Sequence, residues 1–191
     1  MTTTLTGSDS YSNTATAPAD GDLRNASSVN TPMQTVLNNT RYLYQHGRIV
    51  AFYSFNGTGS YSTTSTYSTT LQTCVSQTIA VTAGDIIVVV GQIGAVTQSS
   101  GAVANQGTWL VNFNESSTDH VVYEFIHSAV TGTTVINYIA PHCTYTAAST
   151  GNVVVSLKMK NSTADGTNNQ VRFAGGVTGD PNSLIIAVVR V

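Results

Sequence analysis

Apolar residues recur along this chain with two different periods. Around residues 31–46 (TPMQTVLNNTRYLYQH) the period is helical: Val29, Met33, Val36, Thr40 and Leu43 step by 4, 3, 4 and 3, which is heptad spacing. Leu37 and Tyr44 widen the stripe. Thr31 or Asn30 can cap the first amides, and Pro32 falls in the first turn, where a missing N–H costs nothing. Gly47 suits the position just past the helix end. The segment spans about two heptads, too short to be a stable helix alone. It is expected either to pack on its own domain or to form a neck held together by oligomerisation of the domain beyond it. The polar segment before it and the β-rich domain after it favour the neck.

From Arg48 onward the period is that of strands. Runs rich in Val, Ile, Thr, Tyr and Phe occur at 48–55, 71–81, 85–93, 107–113, 119–128, 132–139, 151–160, 170–174 and 183–191. Asn56-Gly57, Gly84-Asp85, Asp165-Gly166 and Gly179-Asp180-Pro181 mark turns between them. Such a series predicts an all-β two-sheet sandwich of the jelly-roll kind. The runs 48–55 and 183–191 are almost continuously apolar, so each is expected to be buried on both faces or to lie at a subunit interface. Pairing of these two strands in the middle of a sheet satisfies both. Residues 57–70 and 94–106 read as surface loops.

Composition divides the chain into three: an extended polar arm over 1–30, the helical neck over 31–47 and a jelly-roll head over 48–191. The arm has too few large apolar residues to order itself alone. The charged share is 8 %, against about 25 % in an ordinary domain. The formal net charge is −2, and Ser and Thr supply about a quarter of the residues. No basic surface exists for a nucleic-acid backbone, and no apolar run is long enough for membrane insertion as a helix. The opening MTTTLTGSDS has neither a basic nor an apolar signal region, so no secretory leader is expected. Cys74 and Cys143 are expected to be reduced, buried thiols, with a disulfide between strands as the alternative.

The search for chemistry is mostly negative. No G-x-S-x-G elbow is present. Paired carboxylates would be needed for glycan hydrolysis. Asp85, Asp165 and Asp180 are explained by turns, leaving Glu115, Asp119 and Glu124, of which Glu115 and Asp119 flank NESSTD and could meet. The Cys and His residues lack metal-ligand spacing, and simple alternation sends His120 and His127 to opposite faces of one strand. No catalytic residue, metal or cofactor is expected. Binding remains: Tyr61, Tyr67, Trp109 and Tyr145 are aromatics among hydroxyls and amides, a mixture that suits sugars. Alternation places Trp109 with Val111 and Phe113 on the core face, so Tyr61 and Tyr67 are the candidate ligand contacts.

The layout resembles virion proteins of tailed bacteriophages. The stretch DGDLRNASSVNTPMQTVLNNTRYLY (20–44) is similar to the segment leading into the neck of trimeric tail fibres, spikes and head-decoration fibres. The β-domain looks like the trimeric jelly rolls of the tumour-necrosis-factor and complement type. The resemblance implies a homotrimer with its neck at Val29, Met33, Val36, Thr40 and Leu43. It also implies docking on other virion proteins through residues 1–30 and a head exposed on the particle, able to meet a host-surface glycan. A purely architectural capsid decoration or cement protein, and a free carbohydrate-binding module, are the alternatives.

Overall fold

The structure is a computed structural model and describes residues 34–41, 48–99, 103–163, 169–174 and 182–191. The arm 1–30, the neck positions Val29, Met33 and Leu43, and the turns at Asp165 and Asp180 lie outside the described residues. The chain divides into two compact units, Met1–Arg48 with Val189–Val191, and Ile49–Val188.

In the first unit a helix, α1, covers residues 34–41. Gln34 Nε2 donates to Asn38 Oδ1 one turn on, at 2.8 Å. Its apolar positions Val36 and Leu37 stay exposed, as does Thr40.

The second unit is built of β-strands. Their order is β1 (Arg48–Asn56), β2 (Ser65–Thr66), β3 (Gln72–Val81), β4 (Ile86–Gln98), β5 (Asn105–Glu115), β6 (Thr118–Ala129), β7 (Thr134–Ile139), β8 (His142–Thr146), β9 (Gly151–Asn161), β10 (Gln170–Phe173) and β11 (Ser183–Arg190). One sheet runs β1-β11-β4-β10-β2, with β7 and β8 also paired to β4; the other runs β3-β9-β5-β6. The pairs are nested: β1 with β11, β3 with β9, β4 with β8, β5 with β6. A long antiparallel hairpin rolled into two sheets has this pattern, which is the jelly roll. The first and last strands are neighbours, as expected, and β11 lies inside the sheet between β1 and β4; β1 itself is the edge strand rather than a central one, and its Ile49 and Phe52 stay exposed.

The two sheets close over Trp109, Val111 and Phe113 of β5, Leu157 and Met159 of β9, Ile87, Val89 and Ile93 of β4, and Leu184, Ile186 and Val188 of β11, all fully buried. Alternation therefore placed Trp109 correctly; its ring meets Phe173 edge-on at 4.9 Å. Gly91 lets two strands approach closely, since a Cβ there would lie 2.5 Å from the Ser183 carbonyl oxygen of β11.

Two expected loops are corrected. The segment 94–106 does not begin as a loop: β4 continues to Gln98, and Ala95, Val96 and Thr97 are buried because β7 and β10 flank them. The low-complexity stretch 57–70 holds a 3₁₀ turn at Thr58–Ser60 and the short β2, which pairs with β10. It also gives a side chain to the core. Tyr61 is only 6 % exposed, with its ring 4.6 Å from that of Phe173.

Candidate binding site

Burial removes Tyr61 from the pair of expected ligand contacts. The apolar ring of Phe173 holds it inside, so it presents no face to a ligand. Tyr67, next to β2, is 39 % exposed. Cys74 and Cys143 are free and buried. Loss of hydration pushes the Cys74 thiol up to about 12 and that of Cys143 to about 11. Among the described residues no group of three or more His, Cys, Asp or Glu is arranged to hold a metal. Burial also lowers the pKa of His127.

The polar residues converge on the outer face of the β3-β9-β5-β6 sheet. Two bulges arrange this. The register of β6 against β5 slips between Val111 and Asn112: Val111 faces Tyr123 and Asn112 faces Val121, leaving Val122 as the extra residue. The slip reverses alternation beyond that point. Asp119 thereby joins Asn112 and Asn114 on the outer face, while His120 turns inward to lie 5.2 Å from the Tyr145 ring. His120 and His127 consequently share the core-facing side of β6, contrary to the expectation from simple counting. A second slip, at Cys74 between Thr73 and Val75, puts Thr73 and Ser76 on the outer face opposite Lys158 and Ser156.

A row of short side chains, Asn112, Ser156 and Ser76, runs across three strands in register. Longer neighbours stand on either side, Lys158 in one row and Asn114 with Asp119 in another. The result is a trough of about 410 Å³ lined by Thr73, Ser76, Asn112, Asn114, Asp119, Val154, Ser156 and Lys158. Asn112 and Ser156 form its buried floor. The Nδ2 groups of Asn114 and Asn112 donate to Asp119 Oδ1 at 2.7 and 2.9 Å. These two bonds, in that order, hold the carboxyl below its ordinary value, helped by Lys158 and His120. Lys158 Nζ stands 4.0 Å from Asp119 Oδ2. Asn112 Oδ1 is buried and has no partner in the protein.

Glu115 and Asp119 do not meet. Glu115 is turned to the other side of the hairpin, where it accepts four hydrogen bonds. They come from Tyr145 Oη at 2.6 Å, Ser149 N at 2.8 Å, Ser149 Oγ at 2.9 Å and Ala148 N at 3.2 Å. Tyr145 is the largest single cause of its pKa falling to about 2, and burial together with the same bond lifts Tyr145 to about 12. Glu115 thus ties the tip of the β5–β6 hairpin to the β8–β9 loop. That tip is a two-residue turn with both Ser116 (φ 51°) and Ser117 (φ 66°) in the left-handed region. Two carboxylates locked in different roles on different faces offer no acid–base pair.

The fold and this trough define a jelly-roll β-sandwich with a polar groove on one sheet. The sequence matches no family model and no curated protein. Among solved structures it is similar to a chain of the infectious bursal disease virus Gt strain (17 % identity, TM-score 0.38, 75 % of this chain against 38 % of that one). A chain of the T13 particle of the same virus gives 16 % identity and a TM-score of 0.37, over 74 % of this chain and 35 % of that one. The CBM22-1 xylan-binding domain of Paenibacillus barcinonensis Xyn10C gives 12 % identity and a TM-score of 0.34, over 77 % and 98 %. The chain thus spans little more than a third of the viral chains it matches. The assignment of the fold rests on the nested strand pairing.

Proposed function

We propose that this chain is a structural virion protein, a trimeric fibre, spike or decoration protein of a tailed bacteriophage. In this reading it assembles through one face of its head, presents the other to a host-surface glycan, and catalyses nothing. The observation that carries this reading is the contrast between the two outer faces of the sandwich. On one sheet, Ile49 (62 %) and Phe52 (59 %) of β1 are exposed. Beside them Ile185 and Ala187 of β11 and Ile86, Val88 and Val90 of β4 are only half-buried. No Lys, Arg, Asp or Glu occurs in 49–56, 86–98, 142–146 or 183–188. A broad apolar face whose charges are confined to Arg48, Arg172 and Arg190 favours contact with another subunit. The opposite face also exposes Val121 and Ile126 of β6, but it is troughed and polar around Asp119 and carries the chain's two lysines, Lys158 and Lys160.

The layout of the sequence supports the phage setting, with residues 1–30 attaching to other virion proteins and the exposed Val36 belonging to a helical neck. Many copies on one particle turn weak contacts into firm adhesion. The test is light-scattering mass of the full chain, with adsorption to host cells. About three times 20.0 kDa is expected, with Phe52→Lys releasing monomers. Removal of residues 1–30 should detach the protein from particles without changing its number of subunits. A monomer that binds glycans would instead be a free binding module, and a trimer that binds none would be a cement protein.

A further inference from the structure

We infer that the trough grips a vicinal diol of a neutral glycan between the Asp119 carboxylate and the Lys158 ammonium, so that these two side chains set its sugar specificity. This deepens the glycan-binding reading and rests on it.

Asp119 is fixed through one oxygen and open at the other. Asn112 and Asn114 both donate to Oδ1, which sets the plane of the carboxylate. Oδ2 faces Lys158 Nζ at 4.0 Å, beyond hydrogen-bond distance, and the Asp119 side chain is largely exposed. The protein thus holds an acceptor and a donor side by side without joining them. Two hydroxyls on neighbouring carbons can fill that gap. One donates to Oδ2 and the other accepts from Nζ, each in a charge-assisted bond of about 2.8 Å.

Charge balance decides for a neutral sugar. A diol engages both charged groups and leaves neither unmatched. A ligand carboxylate would gain from Lys158 but stand beside the Asp119 charge, and Glu124 lies on the same sheet face. The floor adds a second observation: Asn112 is 2 % exposed, and its Oδ1 lacks any partner in the protein. A buried acceptor left unmet is costly, and a hydroxyl or water seated in the trough satisfies it. Thr73, Ser76 and Ser156 supply further hydroxyls along the walls. The volume matches that of small-ligand sites.

The experiment uses the full chain and two sets of oligosaccharides, neutral hexose oligomers and uronate-containing oligomers. Binding is read by saturation-transfer NMR and calorimetry at low and high NaCl. Neutral oligomers are expected to bind, with little change across salt. Asp119→Asn and Lys158→Met should each weaken them about tenfold with the melting temperature nearly unchanged. Preferential, salt-sensitive binding of the uronate set overturns the inference. So does wild-type affinity in both groove variants while neutral sugars still bind; that result moves the site elsewhere and spares the glycan reading. Absence of binding to every oligomer by the wild-type protein removes both.

Discussion

Replacing Glu115 by Gln keeps the side chain's shape and removes its charge. Four donors converge on the carboxylate, two on each oxygen. A Gln carbonyl can keep two of them; its NH₂ can donate to the hydroxyl on the other side, Tyr145 or Ser149, but confronts one backbone N–H. Losing one bond to a charged acceptor at about 1.5 kcal/mol, and the charge assistance of the other three at about 0.5 kcal/mol each, predicts a cost of about 3 kcal/mol. An independent route runs through protonation. The carboxyl falls from 4.5 in the unfolded chain to about 2 in the fold. At full strength that shift corresponds to about 3 kcal/mol, and screening at the hairpin tip reduces it to about 2 kcal/mol. Glu115→Gln should therefore lose about 2–3 kcal/mol at neutral pH, lowering Tm by about 4–10 °C for a chain of this length. Urea unfolding followed from pH 7 to pH 2.5 checks both the size and the sign. Because folding lowers this pKa, its contribution is complete above about 4.5 and drains away as pH falls toward about 2. The wild-type and variant curves should converge across that window. A variant within 0.5 kcal/mol (about 1 RT) of wild type at pH 7, or a gap that persists in acid, would refute the reasoning.

Three further outcomes are expected. Ser116→Asn with Ser117→Gly supplies residues that tolerate positive φ, and should stabilise the protein by about 1 kcal/mol in a thermal melt without altering glycan binding. Gly91→Ala drives a methyl into the Ser183 carbonyl and should cost about 2 kcal/mol or more, while also lowering the trimer fraction in light scattering, since β4 and β11 form the proposed assembly face. Ellman's reagent at pH 8 should label neither Cys74 nor Cys143 until denaturant is added, because both thiols are buried and hold their protons; rapid labelling of the native protein would contradict this.

Strand periodicity located nine of the eleven strands, because most carry Val, Ile, Tyr or Phe at core positions. The two it missed are poor in such residues. β8 is HCTYT, with Cys143 as its one buried side chain, and β2 is Ser-Thr, ordered only by pairing with β10. The end of β4 was hidden for a related reason: Gly94, Ala95 and Thr97 are small, and their burial comes from strands packed on both sides rather than from their own hydrophobicity. The trough was illegible because a bulge has no signature in alternation. Only the slip at Val122 brings Asp119 beside Asn112 and Asn114. The Tyr-rich loop drew attention by composition, yet one of its two tyrosines fills a gap beside Phe173, a contact made across more than a hundred residues of sequence.

The nesting of the strand pairs also sets a timetable. A ribosome delivers β1 long before β11, yet β11 must enter between β1 and β4. Until residues 183–190 emerge, two apolar strands wait with open edges, and the closing step joins segments more than 125 residues apart. Such late, long-range closure is slow and exposes sticky edges to neighbouring chains. At the high local concentration of several nascent copies, the edge of β1 is offered to any chain that has not yet finished. Synthesis in the cold, or with a chaperone that shields strand edges, should therefore raise the yield of this protein more than any change to its finished surface.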